Sequence, residues 1–233
     1  MDRLATTLSR RALIAGLAAA GAAAPFAGMA RAQGLGGTLN GLLGKASDSA
    51  LDKLAQPGAF YADPAVRIAL PLVGGSGGLL GSVLNAGSKL GLTDGLTRKL
   101  NDAAGLAAKE AKPVFRTAIA RLSLADVPGI VKQNDGASQY LRTSAGDELK
   151  GKLRPLVDAG LAKVGAYGTL DKLSRKSSLA TLAGISHDKL GASVTDQALN
   201  GIFKYIGGEE AKLRANPLKP AGSLLDGLLN GIK

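Results

Sequence analysis

The sequence predicts an all-α protein, built as a single compact multi-helix domain that follows a cleavable signal segment. Apolar residues recur at steps of three and four along most of the 233-residue chain. This is the spacing of one helix face, and the alternation typical of strands is scarce. Glycine, proline and helix-capping residues separate the apolar stripes. A chain of this size buries enough surface for one core. We therefore expect one domain of about seven to nine helices over residues 33–233.

The first 32 residues have the three parts of a secretory signal. Arginines lie near the start, an uncharged stretch of Ala, Leu, Ile and Gly runs over residues 12–24, and the segment closes with Ala30-Arg31-Ala32. The uncharged stretch is shorter than the roughly 20 residues that a membrane-spanning helix needs. An Ala-x-Ala end is typical of a cleavage site, so we expect cleavage between Ala32 and Gln33.

The basic part of this signal resembles the twin-arginine export signal. Ser9, Arg10 and Arg11 match its start, and Leu13 stands where phenylalanine is usual. An ordinary secretory signal with two chance arginines is the alternative. The twin-arginine interpretation makes the export machinery a partner and predicts a periplasmic protein that folds before export. The chain has no cysteine, which excludes disulfides and a lipid-anchoring cysteine, and we expect no transmembrane helix in the mature chain.

The first mature helix is predicted over residues 39–54, where leucines and alanines form one stripe that Pro57-Gly58 ends. Residues 57–72 hold three prolines and predict an extended, proline-rich connector. The glycine-rich run at 74–81 is predicted as a loop, because it lacks the Lys-Ser/Thr of a phosphate-binding loop. A short helix is predicted over residues 79–90.

The next helix is predicted to begin at a Thr93-Asp94 cap and to continue to residue 122. Its apolar face is rich in alanine, which would let neighbouring helices approach closely. Pro113 is predicted to kink or split it, because proline lacks the amide donor and clashes with the preceding turn. A short helix is expected over residues 123–132.

The second half of the chain predicts further helices. An Asn134-Asp135 cap opens one that continues to residue 142, and a stripe over 149–164 with Pro155 inside it predicts another. Residues 170–182 are weakly helical. The run 193–196 resembles a capping box that opens a helix ending at Asn216-Pro217. The leucines of residues 223–232 predict a C-terminal amphipathic helix.

Four stretches resemble motifs of one family, in the same order along the chain. They are FYADPAVRIALP at 60–71 (F-x-N-P-A-V-R-I-P-L-P), DGASQYLR at 135–142 (D-A-A-T-x-Y-F-R), VTDQALNGIF at 194–203 (V-T-x-K-A-L-D-G-L-F) and EEAKLRANP at 209–217 (E-E-x-x-I-R-x-N-P). Over residues 37–217 the chain therefore resembles the domain-of-unknown-function 4197 family of bacterial envelope proteins. It departs from the family at Asp63, at Ala69 and in a C-terminal segment that is richer in glycine than the family's T-T-D-L-L-K-K-V-F. The resemblance implies an all-helical envelope domain, and it implies no activity.

The polar residues in these motifs form the candidate site: Arg67, Tyr140, Arg142, Thr195, Glu210, Arg214 and Asn216. Arg, Tyr and Glu side chains in a helical cleft would bind an anionic group. They would equally serve as buried contacts that hold the connector to the helices. Adjacent Glu209 and Glu210 point about 100° apart on a helix and predict no shared carboxylate site.

No catalytic residue, cofactor or metal site is predicted. The only histidine, His187, stands in what reads as a polar linker, and Ser186 and Asp188 beside it do not make a catalytic triad. The net charge of +11 includes three basic groups: Lys109, Lys112 and Arg116; Lys150, Lys152 and Arg154; Lys172, Arg175 and Lys176. These would attract anionic lipid headgroups or cell-wall polymers. The envelope location and the few aromatic residues disfavour nucleic acid.

These observations favour an exported, non-enzymatic binding or interaction protein of the periplasm. Its partner would be an envelope polyanion, an anionic membrane surface or another protein. The alternative is an enzyme or a small anionic-ligand carrier that uses the Arg/Tyr/Glu set.

Overall fold

The computed structural model describes residues 24–71, 93–122, 130, 132–175 and 185–215, with side chains from residue 37 onward. Over these residues the chain forms helices and no strand, which confirms the all-α prediction. The helices are α1 (Ala24–Leu54), α2 (Ala59–Ala62), α3 (Asp94–Ala120), α4 (Gly136–Lys163), α5 (Ala166–Ser174) and α6 (His187–Ala215).

Several predicted features lie outside the described residues. They are the export-signal residues 9–13, the loop at 74–81, the helix at 79–90, most of the predicted helix at 123–132, residues 176–182, Asn216 and the C-terminal helix at 223–232. The expected cleavage point between Ala32 and Gln33 falls within α1. Cleavage there would shorten α1 but leave in place Leu39 and the later residues of α1 that are buried in the core.

The four long helices pack around one core in the order α1, α3, α4, α6, with α6 returning to α1. Ion pairs show the direction of neighbouring helices. Asp48 and Asp52 of α1 pair with Arg116 and Lys112 of α3, so later residues of one helix meet earlier residues of the other. Glu210 of α6 likewise contacts the start of α4, whereas the start of α6 lies beside the second half of α4. Neighbouring helices in these pairs therefore run antiparallel, as in an up-and-down bundle.

The connector after α1 turns back onto the bundle. Gly58 has a φ of +75°, in the left-handed region that favours glycine, and this ends the run of α1 as the Pro57-Gly58 pattern predicts. After α2 the chain makes a turn at residues 64–66 and is then extended from Arg67 to Pro71, with the side chain of Ile68 buried in the core. The predicted extended connector therefore contains the short helix α2 and a turn, and its last part lies across α3 and α6.

Close contact between α3 and α4 rests on small residues. Buried alanines line α3, and Gly160 of α4 lies over Ala103. A Cβ atom on Gly160 would come within 2.7 Å of the Ala103 carbonyl oxygen. The expected role of alanine at a helix seam is therefore confirmed, with a glycine as its counterpart.

Two predictions about helix continuity are wrong: Pro113 does not split its helix, and the two helices predicted over 135–142 and 149–164 are one helix. Helix α3 continues through Pro113 without being split, and α4 continues through Pro155 as one helix from residue 136 to 163. Both prolines are exposed, and the residues two positions on, Phe115 and Val157, are buried in the core. Each proline costs its helix one backbone hydrogen bond, and burial of the apolar residues on both sides outweighs that loss.

The predicted capping box at residues 193–196 is also wrong, because α6 begins earlier, at His187. Its cap is Ser186, whose hydroxyl oxygen accepts a hydrogen bond from the backbone N–H of Lys189 at 3.1 Å. Thr195 is then interior to α6. The other two predicted caps are confirmed in position, because α3 begins directly after Thr93 and α4 directly after Asp135.

Candidate functional site

Glu210 joins the C-terminal half of α6 to the first turn of α4. Its side chain is fully buried. The carboxylate accepts hydrogen bonds from the backbone N–H groups of Ala137 at 3.0 Å and Ser138 at 2.8 Å, and from the Ser138 hydroxyl. The first N–H groups of a helix lack partners within that helix. Glu210 therefore caps α4 from a different helix. A capping side chain normally comes from a residue next to the helix in sequence.

Arg214, one turn after Glu210, neutralises this buried carboxylate. Its Nη2 and Nε atoms lie 2.7 Å and 3.0 Å from Oε1 of Glu210. The Arg214 side chain is only 12% exposed. The structure thus brings two of the predicted site residues together, but as a closed pair whose acceptors and donors are used within the protein.

The other family-matched polar residues lie elsewhere. Arg67 is on the connector, where its Nε donates to the Tyr61 carbonyl oxygen at 2.6 Å and its guanidinium stacks 4.6 Å from the Tyr61 ring centroid. Thr195 is buried inside α6 and donates to a carbonyl oxygen one turn earlier. Tyr140 is partly buried and packs against the core. Arg67 and Thr195 are therefore engaged at places other than the Glu210–Arg214 pair.

Arg142, in contrast, lines an open groove of about 760 Å³ between α4 and α6. The α6 side of this groove has little side-chain volume at Gly207, Gly208 and Ala211. A Cβ atom on Gly208 would meet no atom within 4 Å. The groove therefore exists because small residues follow one another at helical spacing on the face of α6 that meets α4.

One end of the groove is basic and its floor is aromatic. The Arg142 guanidinium lies 5.5 Å from the ring centroid of Phe203, and its Nη2 donates to the Asn200 side-chain oxygen. Lys204 is exposed beside them. Asp135 is the one acidic side chain among the described residues that line the groove. A ligand with an apolar surface and an acidic group complements this lining.

The family motif identifies Arg142 but not the groove residues on α6. The sequence signal for those residues is the Gly207-Gly208 pair, which is unusual inside a helix. The spacing of Asn200, Lys204, Gly208 and Ala211, close to one residue per turn, would have placed them on one face.

Glu209 points to a different helix from its neighbour Glu210. It accepts a hydrogen bond from Ser49 of α1 at 2.7 Å and pairs with Lys53 at 2.6 Å and Lys212 at 2.9 Å. Burial would raise the pKa of Glu209, but the hydrogen bonds from Lys53, Lys212 and Ser49 outweigh it and lower the pKa to about 2. The two carboxylates thus serve separate helix contacts.

His187 lies in the first turn of α6 and not in a linker. Its Nε2 atom is 2.9 Å from Oδ1 of Asp171, and its ring stacks on Tyr167 with centroids 4.5 Å apart. The Tyr167 hydroxyl donates to Asp158 at 3.0 Å. Burial, with that hydrogen bond, raises the pKa of Tyr167 to about 12. These contacts fix α5 against the start of α6 and the second half of α4.

Many of the predicted basic residues are paired with acids on neighbouring helices. Lys112 contacts Asp52 at 2.5 Å, and Arg116 binds Asp48 through both Nε and Nη2. Lys150 lies 2.6 Å from Asp196. Arg154 pairs with Asp158 and Asp188, whereas Lys109, Lys152, Lys172 and Arg175 are exposed and Lys176 lies outside the described residues.

The described part of the chain holds neither a metal-binding cluster nor a helix suited to span a membrane. No group of three His, Cys, Asp or Glu side chains there lies close enough to hold a metal ion. None of its helices combines the length and the apolar character needed to cross a membrane.

Fold and groove together define an antiparallel helical-bundle domain with one basic, part-apolar seam. The chain belongs to the family described as Protein of unknown function (DUF4197), whose model matches residues 31–229. Comparisons with curated proteins and with solved structures found no match. The family match confirms the resemblance seen in the four motifs, and it extends beyond residue 217 into the C-terminal segment.

Proposed function

We propose that this protein is exported to the periplasm and acts there as a non-enzymatic binding protein, with the α4–α6 groove as its binding surface. The observation that carries the proposal is the groove itself, an open seam of about 760 Å³ between two antiparallel helices. Small-molecule sites are usually enclosed clefts, whereas open seams between helices accept a polypeptide segment along their length. The ligand we propose is therefore a segment of a partner protein.

The lining of the groove defines the chemistry of that segment. Arg142 and Lys204 at one end favour an acidic side chain, and Phe203 with the small residues of α6 favours an apolar face. A helix with one apolar face and an acidic residue at its edge has both features. The alternative anion site made of Arg, Tyr and Glu is less well supported, because Glu210 and Arg214 bind each other in the core.

A crosslinking experiment in the periplasm tests the groove. A photoreactive amino acid at Gly208 would lie in the groove, and the same residue at Gly168 of α5 serves as the matched control, since a Cβ atom meets nothing within 4 Å at either position. We expect a partner crosslink at Gly208 that Arg142→Glu with Lys204→Glu abolishes. Equal crosslinking at both positions, or no effect of the charge reversal, would refute the proposal that the groove is the binding surface.

Export is tested separately. Replacing Arg10 and Arg11 together by Lys keeps the positive charge but removes the twin-arginine pattern. We expect uncleaved precursor to accumulate in the cytoplasm, measured by fractionation and immunoblotting. An Arg3→Lys variant is the control, since Arg3 is outside the pattern. Normal export of the double variant would show that the chain does not use the twin-arginine route.

A further inference from the structure

Two arginine side chains pack on the ring of Tyr61, where the connector passes the start of α3. The guanidinium carbon of Arg67 lies 4.6 Å from the Tyr61 ring centroid, and that of Arg98 lies 4.2 Å from it. The two guanidinium groups are therefore within about 9 Å of each other, near enough for one oxyanion to contact both. We infer that this stack binds a phosphate group, either of a lipid headgroup or of a free phosphate. The inference goes beyond the α4–α6 groove and does not depend on it.

Each arginine of the stack is held in place through its Nε atom. Arg67 Nε donates to the Tyr61 carbonyl oxygen at 2.6 Å, and Arg98 Nε donates to Oδ2 of Asp94 at 2.8 Å. The Tyr61 hydroxyl donates to the other carboxylate oxygen of Asp94, Oδ1. The ring and both guanidinium groups are thus positioned before a ligand arrives, and this lowers the entropic cost of binding.

The outer nitrogens of both guanidinium groups are available to a ligand. Within the part of the chain that the structure describes, the Nη atoms of Arg67 and Arg98 donate no hydrogen bond, and both side chains are exposed. Arg116 is different, because its Nε and Nη2 atoms both donate to Asp48. The stack therefore presents donors that other arginines of the bundle already use within the protein.

One carboxylate belongs to the stack, and its oxygens are already in use. Asp94 accepts hydrogen bonds from Tyr61 and Arg98, and these two bonds lower the pKa of Asp94. Asp94 therefore stays ionised at neutral pH and keeps Arg98 fixed. Asp102, one turn further along α3, acts on Arg98 only through space. Because Asp102 is exposed, solvent and salt screen its charge.

Arg67 has no acidic hydrogen-bond partner among the described residues. Residues 72–92, which lead from the connector to α3, contain no Asp or Glu and therefore supply none. A bidentate bond to one guanidinium uses both oxygens of a carboxylate, whereas a phosphate group has further oxygens for a second guanidinium. The pair of arginines therefore favours phosphate. Because the stack is open to solvent, we expect binding to weaken as the salt concentration rises.

Nuclear magnetic resonance on the full chain tests the site. Inorganic phosphate replaces chloride at constant ionic strength while the Nε–H signals of the arginines are followed. We expect saturable shifts at Arg67 and Arg98, and only small shifts at the control, Arg121, which is exposed and paired with Glu148. No shift, or equal shifts at all three arginines, would overturn the inference, since equal shifts report general screening.

Lysine variants separate the guanidinium geometry from the charge. Arg67→Lys with Arg98→Lys keeps both charges but removes the planar forks. Phosphate affinity, followed at the backbone amide of Tyr61, should fall at least about fivefold, whereas Arg121→Lys should leave it unchanged. Unchanged affinity in the double variant, with its fold confirmed by circular dichroism, would overturn the inference. If the double variant does not fold, the titration of the wild type decides.

Vesicles distinguish the two sources of the phosphate group. Flotation measures the binding of the wild type, the double variant and Arg121→Lys to phosphatidylcholine vesicles with and without phosphatidylglycerol. All three chains share the same N-terminal segment, so their difference reports the arginines alone. A preference for phosphatidylglycerol that only the double variant loses identifies a lipid headgroup. Saturable phosphate shifts without that difference identify a free phosphate.

Discussion

Asn101 and Gln197 hold adjacent residues of the connector with the same pair of hydrogen bonds. Asn101 of α3 accepts from the N–H of Ile68 at 2.8 Å and donates to its C=O at 2.9 Å. Gln197 of α6 does the same for Ala69, at 2.9 Å and 3.0 Å. Two side-chain amides thus supply the bonds that neighbouring strands would supply in a sheet, and they fix an extended segment to a helical bundle.

The two amides differ in burial, and this difference predicts their effect on stability. Asn101→Ala would leave the N–H and C=O of buried Ile68 without partners, so we expect a loss of about 2–3 kcal/mol in the free energy of unfolding. Gln197→Ala should cost less than about 1 kcal/mol, because water can reach the exposed Ala69. Urea unfolding followed by circular dichroism measures both. Equal losses would show that burial does not control the contribution of these bonds.

Gly160→Ala tests the close approach of α3 and α4. The added methyl group would lie 2.7 Å from the Ala103 carbonyl oxygen, which is backbone and cannot rotate away. We expect a loss of about 1–3 kcal/mol in the free energy of unfolding, as for other overpacked sites. Gly151→Ala in the same helix is the matched control. Its Cβ meets nothing within 4 Å, so the higher helix propensity of alanine should increase stability by about 0.5–1 kcal/mol. A stabilising Gly160→Ala would contradict the packing described here.

Helix positions were predictable where the signal is local. The Pro57-Gly58 stop and the helix starts after Thr93 and Asp135 depend on a few neighbouring residues, and the structure confirms these positions, although neither side chain makes a capping hydrogen bond. The unbroken helices through Pro113 and Pro155 depend on burial against other helices, which no local pattern contains. For the same reason, apolar spacing located the faces of the helices but not their order around the core.

The sequence alone could not predict the role of Glu210, because its contacts are also distant along the chain. Its partners in α4 are more than 70 positions earlier in the chain, so the spacing of the motif could not distinguish a binding cleft from a buried contact. The groove likewise needs α4 and α6 to meet. Arg142 was identified through its motif, whereas Gly208 and Lys204 carry meaning only once the two helices are placed side by side.

Glu210→Gln tests the cap that α6 provides for α4. The amide keeps the shape of the side chain but removes the charge that Arg214 needs, and it replaces one acceptor oxygen by a donor facing N–H groups. We expect a loss of about 3–5 kcal/mol in the free energy of unfolding, the usual cost of breaking one side of a buried pair. Glu110→Gln, an exposed position on α3, should change stability by less than about 0.5 kcal/mol. Hydrogen exchange should also increase at Ala137 and Ser138; unchanged protection there would argue against the cap.

Glu209 makes the contact between α1 and α6 dependent on pH. Its pKa is about 2 in the folded protein against an ordinary value of 4.5, so the folded state favours the charged form. The stabilisation is complete above pH 4.5 and is lost as the pH falls towards 2. Because Lys53 and Lys212 are largely exposed, we expect a contribution of about 1–2 kcal/mol. The free energies of unfolding of the wild type and Glu209→Gln should differ by this amount at pH 7 and converge near pH 2. A difference that stays constant between these values would show that the Glu209 charge does not stabilise the contact; Glu148→Gln, at an exposed pair with Arg121, is the control for a surface carboxylate.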